Sequence, residues 1–170
     1  GLLRVEGTAG DDVLTINATN ENSGTWQFNS GPEVAFSNID ELAFYGLTGN
    51  DRLVINNPDG AIFNPAGGIL FNAGGQTGDL LELQGGYATS EEHRLVAGKN
   101  AVYFNGATEA TIRYVGVPTI ISAMDSAETV LTGDSLTVTS DDGIQTRVAG
   151  NSSVLLGSFT GALAVAGHSD

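Results

Sequence analysis

The sequence predicts an all-β chain folded as a parallel β-helix (β-solenoid), with tandem β-sandwich modules as the alternative. Three observations lead there. First, a polar turn ending in Gly-Asp, Asn-Asp or Asp-Asp runs four times into a short apolar strand: GTAGDDVLTI (7–16), GLTGNDRLVI (46–55), GGQTGDLLEL (74–83) and VLTGDSLTV (130–138). Second, apolar residues alternate after each turn. Leu14 and Ile16, Leu53 and Ile55, Leu81 and Leu83, and Leu136 and Val138 share one face, while Thr15, Val54, Glu82 and Thr137 take the other, the period of two of a half-buried strand. Third, runs of β-branched and aromatic residues recur about every ten residues between Gly, Pro and Asn breaks. One corner repeated before one strand pattern favours stacked coils over sandwich hairpins.

In chain order, VLTIN (13–17), TWQF (25–28), EVAF (33–36), ELAFY (41–45) and RLVI (52–55) read as strands, with Ser30-Gly31-Pro32 dividing the second from the third. AIF (61–63) and ILF (69–71) follow, bracketed by Asn57-Pro58-Asp59-Gly60 and Asn64-Pro65-Ala66-Gly67-Gly68. LLEL (80–83), HRLV (93–96), AVYF (101–104), TIRY (111–114), TII (119–121) and ETVL (128–131) continue the rhythm, then SLTV (135–138), IQTRV (144–148), SVLL (153–156) and ALAVA (162–166). The stretch 120–129 has the one weak helical case, and the β-branched Thr119, Ile120 and Ile121 argue against it. The expected interior is Leu14, Ile16, Phe28, Phe36, Leu42, Phe44, Leu53, Ile55, Ile69, Phe71, Leu81, Leu83, Ile112, Leu136 and Val138, with glycines bending the chain at the corners.

Composition narrows the function classes. The 170 residues suffice for a sizeable core. With 20 Asp plus Glu against 6 Lys plus Arg, the formal charge is −14, which disfavours nucleic acid and anionic membranes, since both need a basic footprint. Cysteine is absent, excluding disulfides and thiolate metal sites. No stretch approaches the roughly 20 apolar residues of a membrane span. A single lysine, 24 glycines and abundant Thr, Ser and Asn suit an extracellular or cell-surface protein, and the opening GLLRVEG reads as a piece of a longer polypeptide.

A longer repeat is also visible, unless two β-rich stretches align by chance. The stretch 12–51 returns, shortened, at 134–170, pairing Asp12 with Asp134, Leu42 with Leu163 and Asp51 with Asp170. The reading divides the chain into a first unit, 1–125, and a partial second unit, 126–170, stacked on it. The segments TAGDDVLTINAT, GPEVAFSNIDELAFYGLTGNDRLVINNPDG and GGILFNAGGQTGDLLELQGG resemble the degenerate β-strand repeats, or haemolysin-type repeats, of very large exported bacterial surface proteins. The resemblance covers most of the chain from Val5 onward. It implies an extracellular, adhesive or structural protein.

Calcium is the cofactor to weigh. The resemblance implies that acids at the corners, Asp12, Asn50, Asp51, Asp79 and Asp134, are candidate calcium ligands, because β-roll nonapeptides hold cations between successive turns. Here the corners lie roughly 28 to 55 residues apart rather than in tandem, and calcium takes about six to eight oxygens, so the favoured expectation is that each acid caps its own turn. Ser140-Asp141-Asp142-Gly143 reads as a β-turn, Glu91-Glu92-His93 as a solvated loop, and His168 as another corner residue. Trp26, Tyr45 and Tyr103 are carbohydrate-stacking candidates, with Trp26 expected beneath the Ser23-Gly24 turn. Lys99, in the context GKN, reads as an exposed turn rather than an isopeptide donor.

No catalytic residues are expected: there is no GxSxG elbow, no helix behind a glycine-rich loop, and no contextual partner for either histidine. The sequence therefore points to a non-catalytic extracellular structural or adhesive repeat segment. Its expected partners are further copies of itself or adjacent repeats of the parent chain, joined end to end because LLRV (2–5) begins without a polar cap. A calcium- or carbohydrate-binding module is the alternative, followed by a polysaccharide-active enzyme.

Overall fold

The computed structural model describes residues 1–96 and 100–133, and beyond them the backbone of four strands, 137–140, 146–149, 153–156 and 162–167. The chain alternates between two facing sheets. In order the strands are β1 (Leu2–Glu6), β2 (Val13–Ala18), β3 (Gly24–Phe28), β4 (Val34–Phe36), β5 (Glu41–Tyr45), β6 (Arg52–Asn56), β7 (Ile69–Asn72), β8 (Leu80–Ala88) and β9 (Glu91–Leu95). They continue as β10 (Asn100–Phe104), β11 (Ile112–Val115), β12 (Thr119–Ser126), β13 (Glu128–Gly133), β14 (Thr137–Ser140), β15 (Thr146–Ala149), β16 (Ser153–Leu156) and β17 (Ala162–Gly167). Among the described residues there is no helix.

Sheet A has the order β1-β5-β7-β11-β10-β9-β13-β17, and sheet B the order β4-β3-β2-β6-β8-β12-β16-β15-β14. In sheet B, β2, β6, β8, β12 and β16 are parallel. In sheet A, β1, β5, β7 and β11 are parallel, as are β9, β13 and β17. The molecule is a β-solenoid of about three turns. Parallel coils, not independent hairpin sandwiches, form its body.

Register places like on like. Leu14, Leu53, Leu81 and Ile120 form one interior row of sheet B, and Ile16, Ile55, Leu83 and Ser122 the next. Across from them in sheet A, Val5, Phe44, Phe71 and Tyr114 lie in register. The Phe44 and Phe71 rings stack with centroids 5.2 Å apart and planes 2° apart. Every described member of the expected interior is fully buried except Phe28 and Phe36, which are partly buried and packed on the core. Leu136 lies outside the described residues, as does the side chain of Val138. Val54 and Glu82 point outward as expected yet are covered, Glu82 by its ion pair with Arg52 and its bond from the Gln84 amide.

The stretch 120–129 is strand, β12 and β13, as its β-branched residues suggested. Three features differ from the sequence reading. AIF (61–63) is not a strand: Ala61 N–H closes a turn onto the Pro58 carbonyl and Phe63 N–H donates to Asn57 Oδ1, leaving no edge for a neighbour. Ile62 and Phe63 still reach the core from this loop. The strand expected at HRLV begins two residues earlier, so Glu91-Glu92-His93 lies in β9 rather than in a solvated loop, and β9-β10-β11 make an antiparallel meander that places β10 and β11 between β7 and β9 in sheet A while β8 and β12 stay adjacent in sheet B. The start of the stack is also not bare. The antiparallel β3-β4 hairpin extends sheet B past β2, and Trp26, Phe28 and Phe36 cover the interior there. Only sheet A ends on an open parallel strand, β1.

The row of Leu53 predicts the stability of its variants. Leu53→Ala should cost about 2 to 5 kcal/mol in urea unfolding, through lost burial and a cavity between two fixed neighbours. Thr15→Ala, on the outer face of β2, should cost under about 1 kcal/mol. Equal losses would contradict the register.

Candidate functional site

The corner acids assemble as the repeat suggested. Asp12, Asp51 and Asp79 immediately precede β2, β6 and β8, whose register places them one above another, and all three are buried. Their carboxylates do not cap only their own turns. Asp12 N–H donates to Asp51 Oδ1 at 3.0 Å, and Asp51 N–H donates to Asp79 Oδ1 at 2.7 Å. One residue earlier a second ladder runs the other way: Asn50 N–H donates to Asp11 Oδ1 at 2.7 Å, and Gly78 N–H to Asn50 Oδ1 at 3.1 Å. The middle coil thus supplies acceptors to both neighbours. Parallel coils leave corner amides outside the strand ladder, and a buried amide without an acceptor costs about 1 to 3 kcal/mol.

The remaining oxygens distinguish the three coils. Asp12 Oδ2 accepts from the Thr8 amide and hydroxyl, and Asp79 Oδ2 from the Gln76 amide. In the middle coil Leu47 adopts φ 77, and Asp51 Oδ2 is buried with no hydrogen-bond partner. That oxygen sits where a Cβ on residue 46 would be, so Gly46 has no room for a side chain. Burial raises the Asp51 carboxyl; the Asp12 amide lowers it, and the charges of Asp79, Asp12 and Asp11 raise it further, to about 6. For Asp12 burial works in the same upward sense, but the Thr8 amide, the Asn29 side chain and the Thr8 hydroxyl outweigh it and hold the carboxyl below its ordinary value.

Both ends of the ladder have a stated terminus. Asp12 Oδ1 accepts from the Asn29 side-chain amide at 2.8 Å, and Asn29 Oδ1 accepts from Val13 N–H at 2.7 Å, so the β3-β4 hairpin stands in for a preceding coil. In the coil after Asp79 the equivalent position, just before Thr119, is Pro118, which carries neither carboxylate nor N–H. Asp134 lies outside the described residues.

This arrangement fits an amide ladder better than a calcium cage. Calcium takes about six to eight oxygens, whereas here both oxygens of Asp12 and Asp79 and the Oδ1 atoms of Asp51 and Asn50 are engaged by N–H or hydroxyl donors. Among the described residues no group of three or more His, Asp and Glu side chains is placed to hold a metal.

A second polar group is sealed inside. Glu91 and His93 alternate inward along β9, His93 Nε2 lies 2.8 Å from Glu91 Oε1, and Ser122 of β12 donates to the same oxygen at 2.7 Å across the sheet gap. All three are buried, and His93 Nδ1 has no partner. The residue types match those of a hydrolytic triad, but Ser122 bonds to the acid rather than to the histidine. The alternation Glu91, His93, Leu95 against Glu92, Arg94 was the available signal, masked because two of the inward residues are polar.

The aromatic candidates separate. Trp26 lies opposite Ile16 and faces the interior, half-buried. Tyr45 and Tyr103 lie on the outer face of sheet A, each under an arginine: Arg4 at 4.8 Å and Arg94 at 3.9 Å from the ring centres. Beside Tyr103 a groove of about 750 Å³ opens between the 64–68 and 107–111 loops, with Arg113 and Glu109 on its walls. Sequence reasoning placed Arg113 on a strand face with Thr111 but did not single out Glu109.

The fold and its corner define a β-solenoid whose coils are joined by buried acid-to-amide bonds. No family model, curated protein or solved structure matches the chain.

Two outcomes follow from the ladder. Asp79→Ala leaves the Asp51 amide buried without an acceptor and should cost about 1 to 3 kcal/mol, while Asp79→Asn, which keeps an oxygen there, should cost less. The raised Asp51 carboxyl binds a proton more tightly in the folded chain than in the unfolded one, so stability should rise as pH falls from about 7 to about 4.5 and drop again below about 4, as Asp12 protonates. Urea midpoints across this range test it. Asp51→Asn should flatten the upper limb, and an unchanged limb would contradict the assignment.

Proposed function

We propose that the chain is a non-catalytic structural or adhesive segment of an extracellular β-solenoid array, contacting further copies of itself or adjacent repeats of a longer chain end to end. The observation that carries this reading is the Asp12–Asp51–Asp79 ladder, in which the most distinctive residues of the repeat face the neighbouring coil rather than solvent. Acids engaged in this way serve coil stacking, the property an array needs. Among the described strands β1 is the outermost of sheet A, and Leu2 on it is 56% exposed. Among the described residues no helix is long and apolar enough to cross a membrane.

Sedimentation at high concentration tests the proposal. The charge of −14 opposes contact, and salt screens it over about 8 Å at physiological strength, so association should strengthen with added salt. Leu2→Lys should weaken it. A strict monomer in both low and high salt would contradict end-to-end contact.

A calcium-dependent module is the second reading, favoured only by the unpartnered Asp51 Oδ2 among neighbouring acids. Melting curves in millimolar calcium and in chelator should superimpose. A rise of about ten degrees or more with calcium would reverse the order of the two readings.

A further inference from the structure

Arg113 stands apart from the other described arginines. Arg4, Arg52 and Arg94 each pair with a carboxylate, Glu6, Glu82 and Glu92 respectively. Arg113 makes no ion pair among the described residues; its guanidinium is exposed on the outer face of sheet A, 3.5 Å from the Gly67 carbonyl at the wall of the 750 Å³ groove. Among the described side chains Arg113 is thus the arginine without a carboxylate partner, which favours an anion at this spot.

The rest of the groove restricts the anion. Tyr103 lines it, and Arg94 covers one face of the Tyr103 ring at 3.9 Å, leaving the other face free of that guanidinium. Glu109 stands on the same wall as a hydroxyl acceptor that repels a densely charged polyanion such as nucleic acid. Leu70 and Val115 add apolar lining, and Asn64 also lines a second cavity of about 920 Å³. An aromatic ring, a guanidinium fork, one carboxylate and an open groove suit sugar rings with sparse carboxylates.

We propose that this groove binds an acidic saccharide, with Arg113 pairing a uronate carboxylate and Tyr103 stacking on the adjoining ring. It deepens the adhesive reading by naming its partner and rests on that reading. Its failure would leave the sedimentation test of end-to-end contact untouched.

Titration calorimetry of the full chain with tetragalacturonate, its methyl ester and tetramannuronate tests the proposal. Saturable binding of at least one acid tetramer is expected. For the galacturonate, the ester should bind about tenfold more weakly, because it keeps the rings and loses the charge. Arg113→Gln should weaken acid binding about tenfold and leave the circular dichroism spectrum unchanged, Arg113→Lys should fall between, and Tyr103→Ala should weaken acid and ester alike. No saturable binding of either acid, equal binding of acid and ester, or binding indifferent to Arg113→Gln would each overturn it.

Discussion

A corner amide in a stacked coil needs an acceptor that its own coil does not provide, and the rest of this structure depends on where that acceptor comes from. Within the strands, parallel pairing satisfies the backbone. At the turns before β2 and β6 it does not, and the carboxylates of Asp51 and Asp79 take over. The adjacent ladder through Asp11 and Asn50 runs in the opposite direction, so a coil is tied to the one before it and the one after it. Burying three acids in a column is electrostatically costly. The cost shows at Asp51, the middle member, whose carboxyl is pushed up to about 6. The same coil is the one where Leu47 adopts φ 77.

Stacking in register then sets the interior. Because corner follows corner, Leu14, Leu53, Leu81 and Ile120 fall into one row and Phe44 meets Phe71 face to face. The meander β9-β10-β11 interrupts this regularity by adding two strands to sheet A that have no counterpart between β8 and β12 in sheet B. At that place the row Ile16, Ile55, Leu83 reaches Ser122, which bonds Glu91 beside His93. Pro118 ends the acid ladder in the same coil. Change of topology, loss of the corner acid and entry of polar groups into the core coincide.

Much of this was legible in the sequence. The corner and the alternation behind it are both local, and they were enough to place Leu53, Ile55, Leu81 and Leu83 on the inner face and Asp12, Asp51 and Asp79 in equivalent positions. What the acids bond to was not legible, since an acid capping its own turn and one capping the next coil's amide look identical in sequence. The strand at HRLV was read, but its start at Glu91 was taken for solvated loop because Glu91 and His93 are polar residues at inward positions, and composition argues for solvent there. Residues 61–63 misled in the opposite sense: Ile62 and Phe63 have strand propensity and core burial, yet sit between prolines with no edge to pair with. The Asn29 cap was hidden because its partner, Asp12, lies across a hairpin. The groove at Arg113 arises from loops 64–68 and 107–111 meeting in space, which no local pattern records.

Amide hydrogen exchange of Asp12 and Asp51, read residue by residue by NMR, tests the central claim most directly. Both sit at corners, where turn amides normally exchange quickly, and in this account both donate to a buried carboxylate of the next coil. Their protection should approach that of Leu53 and Leu81 in the strands, set by global unfolding. Exchange of Asp12 and Asp51 as fast as that of the exposed turn residue Gly10 would contradict the ladder, and with it the proposal that these acids exist to join coils.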